Sequence, residues 1–423
     1  MSTGLTPDLG DPDVLARLFA PARDHRTIGL AVSGGADSLA LMLLAHRWAA
    51  MLAEPPKLIV YSLDHALRPE AADEVAMVLA AADNLGLSAR GLVWDDIKPE
   101  TGLQEAARQA RYGLIGGAMA EDGATLLLTA HHRADQAETV LMRLAHGSGL
   151  EGLKAMSPLS RVEGVPLFRP LLDCDPASLA ALVAEAGLIP AADPSNTDPA
   201  YERVRWRQLL PTLAAEGLDA ATLSRFATRM AEADAALTQM AHAAFDELVR
   251  LDGFGAASLP RAALTELSPA IAQRVLSRVL NIVGGRQKPR ALGQVERLHE
   301  QILGGISKPL TLLGAVIRPR AESLVISREP GRMLPEAQTL LPGADLVWDQ
   351  RFLISNLSGE AGIQAGPTDF LPRHRLEALL GFKVTSPAEA IRTAPIVHDS
   401  AGQLLALGGW SFDERVKVEL LID

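Results

Sequence analysis

Hydrophobic positions in the first third of the chain fall into two alternating patterns. Short apolar runs, several of them β-branched, are typical of buried strands, and longer runs rich in Ala and Leu are typical of helices. The predicted strands cover residues 27–32, 58–62, 87–93 and 125–129, and the predicted helices cover 38–52, 69–85, 103–119 and 134–144. Strands that alternate with helices of this length form βαβ units, so we predict an α/β fold with a doubly wound, mostly parallel sheet.

The pattern changes beyond residue 147, where the strand signal fades. Helical character dominates from residue 213 to about 304, with breaks at Gly253 and Gly284–Gly285. After residue 310, short apolar runs at 315–318, 324–328, 346–354 and 395–398 alternate with Gly and Pro turns, which predicts a small α+β domain. We therefore divide the chain into a lead-in (1–26), an α/β domain (27–212), a helical domain (213–310) and a C-terminal β-containing domain (311–423).

Composition narrows the class of protein. The 423 residues are 48% hydrophobic and 22% charged, which is typical of a globular chain with several domains. Cys174 is the only cysteine, so an internal disulfide, a multi-cysteine metal site and a mechanism with two thiols are excluded. Three aspartates precede the first apolar run, unlike a signal peptide, and no apolar run is long enough to span a bilayer. We expect a cytoplasmic chain that does not use a membrane.

One loop carries the strongest chemical signal. The hexapeptide Ser33-Gly34-Gly35-Ala36-Asp37-Ser38 follows the first predicted strand and opens the first predicted helix. Its glycines let the backbone approach a ligand, and the helix N-terminus attracts an anion such as phosphate. Asp37 would repel a phosphate unless a cation lies between them, so we expect Mg²⁺ held through Asp37 or a polar role for Asp37 in the chemistry. The loop lacks the lysine of a Walker A loop. A capped turn without a ligand is the alternative interpretation.

The hexapeptide resembles the SGGxDS loop of the ATP-pyrophosphatase superfamily, whose members cleave ATP between the α and β phosphates and adenylate an oxygen of their substrate. Further segments resemble the tRNA(Ile)-lysidine synthase family, and they occur in its order within residues 27–212. These segments are Asp64-His65-Ala66-Leu67-Arg68, residues 105–112 (EAARQARY), residues 129–139 (TAHHRADQAET) with Arg143 and Gly147-Ser148-Gly149, and Arg169-Pro170-Leu171 with residues 193–196, Arg203, Arg205 and Pro211.

The chain departs from the family pattern at three positions. Ala134 precedes Asp135 where the family commonly has two adjacent acids, so a carboxylate pair for metal binding is missing there. Val204 stands where the family often has Asn, and His146 precedes Gly147 where the family often has Arg.

The resemblance implies an ATP-dependent ligase that forms a carbon–nitrogen bond. Such an enzyme adenylates the wobble cytidine of tRNA(Ile) with a CAU anticodon, attaches L-lysine to give lysidine, and releases AMP and pyrophosphate. ATP and Mg²⁺ would be required, the C-terminal domain would bind tRNA, and no obligate protein partner is evident.

The resemblance also assigns candidate residues. The candidate catalytic residues are Asp37, Arg111, His132 and Asp135, and residues Ser33 to Ser38 would bind ATP. His65, Arg108, Glu138 and Arg143 are candidates for binding substrate or Mg²⁺. Arg203, Arg205 and Arg207 are candidates for tRNA binding, and smaller basic groups occur at 286–290, 318–320 and 373–375.

Several of these assignments have structural alternatives. Arg108 and Arg111, three apart on one helix face, could form a solvated face paired with Glu105 instead of a phosphate contact. One histidine of the His131-His132 pair is expected to point away from the crevice. His132, Asp135 and Glu138 together could hold a transition metal, although the ligand set is thin. The arginines at 203–207 could be an ordinary charged loop or helix start.

Three other functions remain as alternatives. A tRNA-thiolating enzyme generally relies on paired cysteines, and a glutamine-fed amidoligase would need a cysteine where Ser2 stands. A nucleotide sensor that holds ATP without turnover belongs to a different class. The general base for the lysine amine is expected among Asp37, His132 and Asp135.

Overall fold

A computed structural model describes residues 8–68, 70–99, 101–191, 198–285, 292–331, 334–369 and 371–422. The chain divides into two compact units, Met1–Asp234 and Ala235–Asp423. The finer division into four segments stays a prediction. The start of the predicted helix at Pro69, residues 193–196 and the basic group at 286–290 lie outside the described residues.

The first unit alternates strands and helices as expected. Its strands are β1 (Thr27–Ala31), β2 (Lys57–Asp64), β3 (Ser88–Val93), β4 (Leu126–Leu128), β5 (Leu159–Val162) and β6 (Val165–Phe168). Its helices are α1 (Pro12–Leu18), α2 (Ala36–Ala50), α3 (Ala71–Asn84), α4 (Leu103–Asp122), α5 (Arg133–Ala145), α6 (Leu150–Leu153), α7 (Pro176–Glu185), α8 (Glu202–Ala215) and α9 (Ala220–Leu248), whose last part belongs to the second unit.

The six strands form one sheet in the order β3-β2-β1-β4-β6-β5, and all neighbours are parallel except the β5–β6 hairpin. Alternate side chains of one strand enter different cores: Val60 packs with Trp48 on one face of the sheet, and Ile59 and Tyr61 pack with Tyr112 on the other. Helices therefore cover both faces, and the predicted doubly wound, mostly parallel α/β fold is confirmed. The carboxyl ends of β1, β2, β4 and β6 meet at one edge, where such folds bind their ligands.

The expectation that strand signals fade beyond residue 147 was wrong for β5 and β6. Each of these strands has four residues, and a tight turn at Glu163-Gly164, with φ of 48° and 80°, joins them. Such short strands leave a weak pattern in the sequence, and Pro166 weakens it further. β6 nevertheless pairs with β4 and carries the chain back to the carboxyl edge of the sheet.

The second unit is built on antiparallel sheets, which confirms the predicted α+β character of the C-terminal region. Its helices are α10 (Arg261–Glu266), α11 (Pro269–Gly284), α12 (Leu292–Leu303), α13 (Arg373–Leu380) and α14 (Ala388–Thr393). Its strands are β7 (Arg250–Leu251), β8 (Ala257–Pro260), β9 (Leu310–Leu312), β10 (Ala315–Pro319), β11 (Ser323–Arg328), β12 (Gln338–Leu340), β13 (Asp345–Trp348), β14 (Phe352–Asn356), β15 (Ile363–Pro367), β16 (Pro395–His398), β17 (Leu404–Leu407), β18 (Trp410–Ser411) and β19 (Val416–Leu420).

Two local expectations for this unit were wrong. Helical character was expected to continue to residue 304, but β7 and β8 interrupt it, because β8 pairs with β11 from more than 60 residues later. The run 346–354 was expected to be continuous, but Asp349 and Gln350 adopt positive φ values of 48° and 55° and turn it into the β13–β14 hairpin. In the part of the chain that the structure describes, no helix is long and apolar enough to cross a membrane.

Candidate active site

The Gly-rich loop joins β1 to α2 at the carboxyl edge of the parallel sheet. Gly34 has a φ of +88°, and a Cβ atom there would lie 3.1 Å from Met77 Cε, so this position favours glycine. Ser38 Oγ accepts a hydrogen bond from Ser33 N at 3.1 Å and donates one to Gly35 O at 2.9 Å. These bonds fix the loop without using its central amides.

The central amides of the loop remain available to an anion. Gly35 begins α2 without a side-chain cap, and within the described ranges the N–H groups of Gly34, Gly35 and Ala36 have no acceptor. N–H groups at the start of a helix, together with the helix dipole, favour a phosphate group. The loop is therefore built as a phosphate cradle.

The loop is connected to α5 through His132, which follows β4. His132 Nε2 lies 3.4 Å from Asp37 Oδ2. His132 also caps α5: its backbone N–H donates to Asp135 Oδ2 at 2.9 Å, and its Nδ1 lies 3.4 Å from Asp135 N. The histidine ring is thus held between one carboxylate on α2 and another on α5.

Two arginines of α8 complete this arrangement. Glu138, one turn after Asp135, is fully buried, and its two oxygens accept from Arg203 Nε and Arg207 Nε, both at 2.6 Å. Arg203 also donates from Nη2 to Asp135 Oδ1 at 3.0 Å. We refer to Asp37, His132, Asp135, Glu138, Arg203 and Arg207 as the paired network.

Charges inside the paired network shift two pKa values in opposite directions. Burial opposes the charged form of His132, but the hydrogen bond to Asp37 and the charges of Asp135 and Glu138 raise its pKa above the ordinary value. Burial would raise the pKa of Asp135, but the charges of His132 and Arg203 hold it below its ordinary value. The network therefore favours a charged histidine and a charged aspartate.

Three other arginines near the same edge have partners other than carboxylates within the described residues. Arg111 Nη2 is 3.1 Å from His65 Nε2, and Arg108 lies over the ring of Tyr112 at 5.1 Å. Arg169, buried at the end of β6, donates to Ser157 O at 2.7 Å and Ser160 Oγ at 2.9 Å. We refer to Arg108, Arg111 and Arg169 as the cationic group, because no ion pair with a carboxylate forms at any of them within the described residues.

His131 faces this cationic group and behaves differently from its neighbour. Burial, only partly offset by the charge of Asp135 and reinforced by the charges of Arg169, Arg203 and Arg108, lowers the pKa of His131 to about 4. Its Nδ1 lies 2.9 Å from Thr129 Oγ1. The pKa values of two consecutive histidines are therefore shifted in opposite directions.

The structure brings most of the candidate residues together and leaves two of them elsewhere. Arg143 Nη1 donates to Gly152 O at 2.6 Å and Ala155 O at 2.9 Å, which fixes the turn after α5. Arg205 donates to Pro199 O at 2.9 Å and Ala200 O at 3.0 Å, just before α8. Both arginines bind backbone carbonyl oxygens rather than the acids of the paired network.

Sequence reasoning assigned no role to Arg169 or His131. The signal that could have identified both is their position within a few residues of the end of a strand at the ligand-binding edge. β6 was not predicted, so the place of Arg169 was not apparent.

Metal binding by side chains alone is not supported at this edge. The described residues contain no group of three or more His, Cys, Asp and Glu side chains that could hold a metal ion. The alternative of a transition-metal site at His132, Asp135 and Glu138 conflicts with the two arginines on Glu138. Asp37, whose side chain is 42% exposed, remains able to share a cation with a phosphate on the loop.

Comparison with known proteins agrees with this geometry. The family model described as a PP-loop domain matches residues 12–213. A tRNA(Ile)-lysidine synthase from Bradyrhizobium sp. strain BTAi1 is 44% identical over 337 residues, which cover 75% of this chain and 94% of the relative. A tRNA(Ile)-lysidine synthase from Rhodopseudomonas palustris is 47% identical over 327 residues, with the same two coverages of 75% and 94%.

The chain belongs to the tRNA(Ile)-lysidine synthase family. The resemblance found in the sequence is therefore confirmed, and the PP-loop domain confirms the expected use of ATP. Among solved structures, a U34-tRNA thiolase from Methanococcus maripaludis matches 52% of this chain and 78% of its own length at 15% identity and a TM-score of 0.45. A similarity of that size supports no argument about function.

Proposed function

We propose that this chain is an ATP-dependent ligase that attaches L-lysine to the wobble cytidine of tRNA(Ile) with a CAU anticodon and releases AMP and pyrophosphate. The observation that carries the proposal is the link of 3.4 Å between Asp37 on the phosphate loop and His132, in a chain of the tRNA(Ile)-lysidine synthase family. A cytoplasmic location, where tRNA is found, is part of the proposal.

The first step activates the cytosine. The C2 oxygen attacks the α-phosphorus of ATP, the bond between the α-phosphorus and the bridging oxygen breaks, and pyrophosphate leaves. The amides of Gly34, Gly35 and Ala36 would hold the leaving phosphates. Asp37 would hold Mg²⁺ together with phosphate oxygens, and the bound ion would neutralise charge on pyrophosphate.

The second step transfers lysine. The neutral ε-amine attacks C2, and the bond between C2 and the adenylated oxygen breaks, so that AMP leaves with that oxygen. The amine must first lose a proton. Because neighbouring carboxylates raise the pKa of His132, we propose that this ring donates a hydrogen bond, and that the carboxylate of Asp37, whose side chain is 42% exposed, receives the ammonium group and its proton.

Thiolation of tRNA is less well supported. Such chemistry generally relies on paired cysteines, and Cys174 is the only cysteine of the chain. Cys174 is buried, and burial raises its pKa to about 11, which disfavours the nucleophilic thiolate.

The test is incorporation of labelled lysine into tRNA by the purified protein with ATP and Mg²⁺. Mild base then removes ordinary aminoacyl esters, so that label on a modified base remains. We expect base-stable label with the wild type, and a loss of about 1,000-fold or more for Asp37→Ala, because the variant lacks the carboxylate beside the phosphates. Asp83→Ala, an exposed acid at the end of α3, is the matched control and should retain activity.

The other outcomes distinguish the alternatives. Cleavage of ATP to AMP and pyrophosphate without lysine incorporation would keep adenylation but assign a different acceptor. No cleavage with any RNA would support the nucleotide sensor. Full activity of Asp37→Ala would contradict the proposal.

A further inference from the structure

The arginines of α8 hold the acids of the site. Arg203 and Arg207 are four residues apart, and therefore on one face of the helix. Resting on the function proposed above, we propose that Arg203 and Arg207 are positioning residues: they fix Glu138 and Asp135, and through Asp135 they hold His132 against Asp37. Their partners are the acids of the site rather than RNA phosphates.

Glu138 is held by the two arginines. It has no exposed surface, and each of its oxygens accepts a hydrogen bond of 2.6 Å from an arginine Nε. A buried carboxylate is tolerated only when it is paired and hydrogen-bonded. Glu138 therefore needs the two arginines, and its occupied oxygens are not presented to a substrate ammonium group.

Contacts through Asp135 and His132 connect Arg203 to the phosphate loop. Arg203 bridges Glu138 and Asp135, with contacts of 2.6 Å and 3.0 Å. Asp135 Oδ2 in turn accepts from His132 N at 2.9 Å, and His132 Nε2 faces Asp37 Oδ2 at 3.4 Å. An unbroken series of polar contacts thus runs from α8 to the phosphate loop.

The charges of Arg203 and Arg207 are already matched by carboxylates. Within the paired network, these two arginines contact Asp135 and Glu138, so each guanidinium charge is balanced by an acid. A group that is neutral overall attracts phosphate weakly. The cationic group, by contrast, forms no ion pair with any carboxylate that the structure describes, so its charge is better suited to RNA.

The experiment compares Arg207→Lys and Arg207→Gln with the wild type. A phosphate contact needs only the charge, which lysine keeps, whereas the two-point contact with Glu138 needs the guanidinium fork. We expect both variants to bind tRNA within about twofold of the wild type, with an unchanged salt dependence, and to lose about 10–100-fold in kcat for lysine incorporation at saturating substrates. Arg225→Gln, an exposed arginine on α9 outside the network, is the control and should match the wild type.

A double variant separates positioning from loss of folding. Glu138→Gln and Arg207→Gln remove two sides of one contact, so their effects on kcat and on the unfolding midpoint should be strongly non-additive. Independent, additive effects would overturn the proposal. It would also be overturned if Arg207→Lys kept full kcat, or if Arg207→Gln weakened tRNA binding and lowered its salt dependence by about one phosphate contact while kcat stayed unchanged.

The failure of the proposed function would give a different result. If the wild type incorporates no lysine but cleaves ATP, the proposed acceptor of the adenylyl group is wrong. The Arg207 variants are then compared with the wild type by their rates of ATP cleavage. If the wild type is inactive in both assays, the function fails, and the coupling of the two unfolding midpoints still supports or overturns the positioning role.

Discussion

Two groups of positively charged side chains lie near the same edge of the parallel sheet, and their partners differ. In the paired network, Arg203 and Arg207 contact buried carboxylates. In the cationic group, Arg108 contacts an aromatic ring and Arg111 a histidine. Arginine therefore serves two purposes here. An arginine paired with carboxylates holds a site together, whereas an arginine without a carboxylate partner keeps its charge for an anion.

The boundary between the two groups passes between His131 and His132. His132 faces Asp37 and Asp135, and its pKa is raised. His131 is half-buried, and desolvation together with the charges of Arg169, Arg203 and Arg108, only partly offset by Asp135, lowers its pKa to about 4. Adjacent residues in the connection between β4 and α5 thus have pKa values shifted in opposite directions.

The largest effect is expected from the loss of a member of the cationic group. Arg111→Gln keeps a polar side chain but removes the charge. We expect kcat for lysine incorporation to fall about 100-fold, because a preorganised donor for developing negative charge is lost. Single-turnover measurement of lysine transfer at saturating ATP checks this.

The control for Arg111 is an arginine of the first unit that already has acidic partners. Arg90 contacts Glu121 at 2.8 Å and Asp122 at 3.1 Å, away from the site residues. Arg90→Gln should leave the transfer rate within about twofold of the wild type, since surface ion pairs contribute little. Equal losses of the lysine-transfer rate in Arg111→Gln and Arg90→Gln would contradict the distinction between arginines with and without carboxylate partners.

A second prediction uses the two histidines in the unliganded chain. The folded-state pKa of His131 lies below the ordinary value of about 6.5, so the unfolded chain binds a proton first as the pH falls. Between about pH 6.5 and pH 4, the free energy of unfolding of the wild type should therefore fall by about 2–3 kcal/mol relative to that of His131→Asn. Urea unfolding across this pH range measures the difference.

For His132, the free energy of unfolding should change with pH in the opposite direction. Its folded-state pKa is raised, so its stabilising contribution is fully present below about pH 6.5 and is lost as the pH rises through the folded pKa. The difference in free energy of unfolding between the wild type and His132→Asn should therefore decrease as the pH is raised. The same slope for both histidines would contradict the separation of the two groups.

Much of the fold was predictable because local patterns and the final structure agree. β1, the loop and α2 follow one another within 24 residues, and the predicted strand and helix lie within a few residues of the observed bounds. β5, β6 and β8 were missed because each has four residues and depends on partners distant in sequence. Short strands of this kind are specified by pairing more than by their own pattern.

The acids and histidines of the candidate site followed from motifs, but their partners did not. Arg203 and Arg207 were predicted, together with Arg205, to contact tRNA, and a charged loop or helix start was the alternative. The structure places them on a helix, where a spacing of four puts both on one face toward Glu138, more than 60 residues earlier. A pairing over that distance is a tertiary contact, and no local rule predicts it.

The smallest effect is expected for Arg108. This residue is exposed and forms no ion pair with a carboxylate in the ranges that the structure describes. If it contacts one RNA phosphate, Arg108→Gln should weaken tRNA binding about threefold at moderate salt and lower the slope of log affinity against log salt by about 0.7. Arg229→Gln, an exposed arginine on α9, should change neither quantity. Binding titrations at four salt concentrations would separate the variants, and an unchanged slope for Arg108→Gln would remove it from the anion-binding surface, leaving Arg111 and Arg169 to account for that surface.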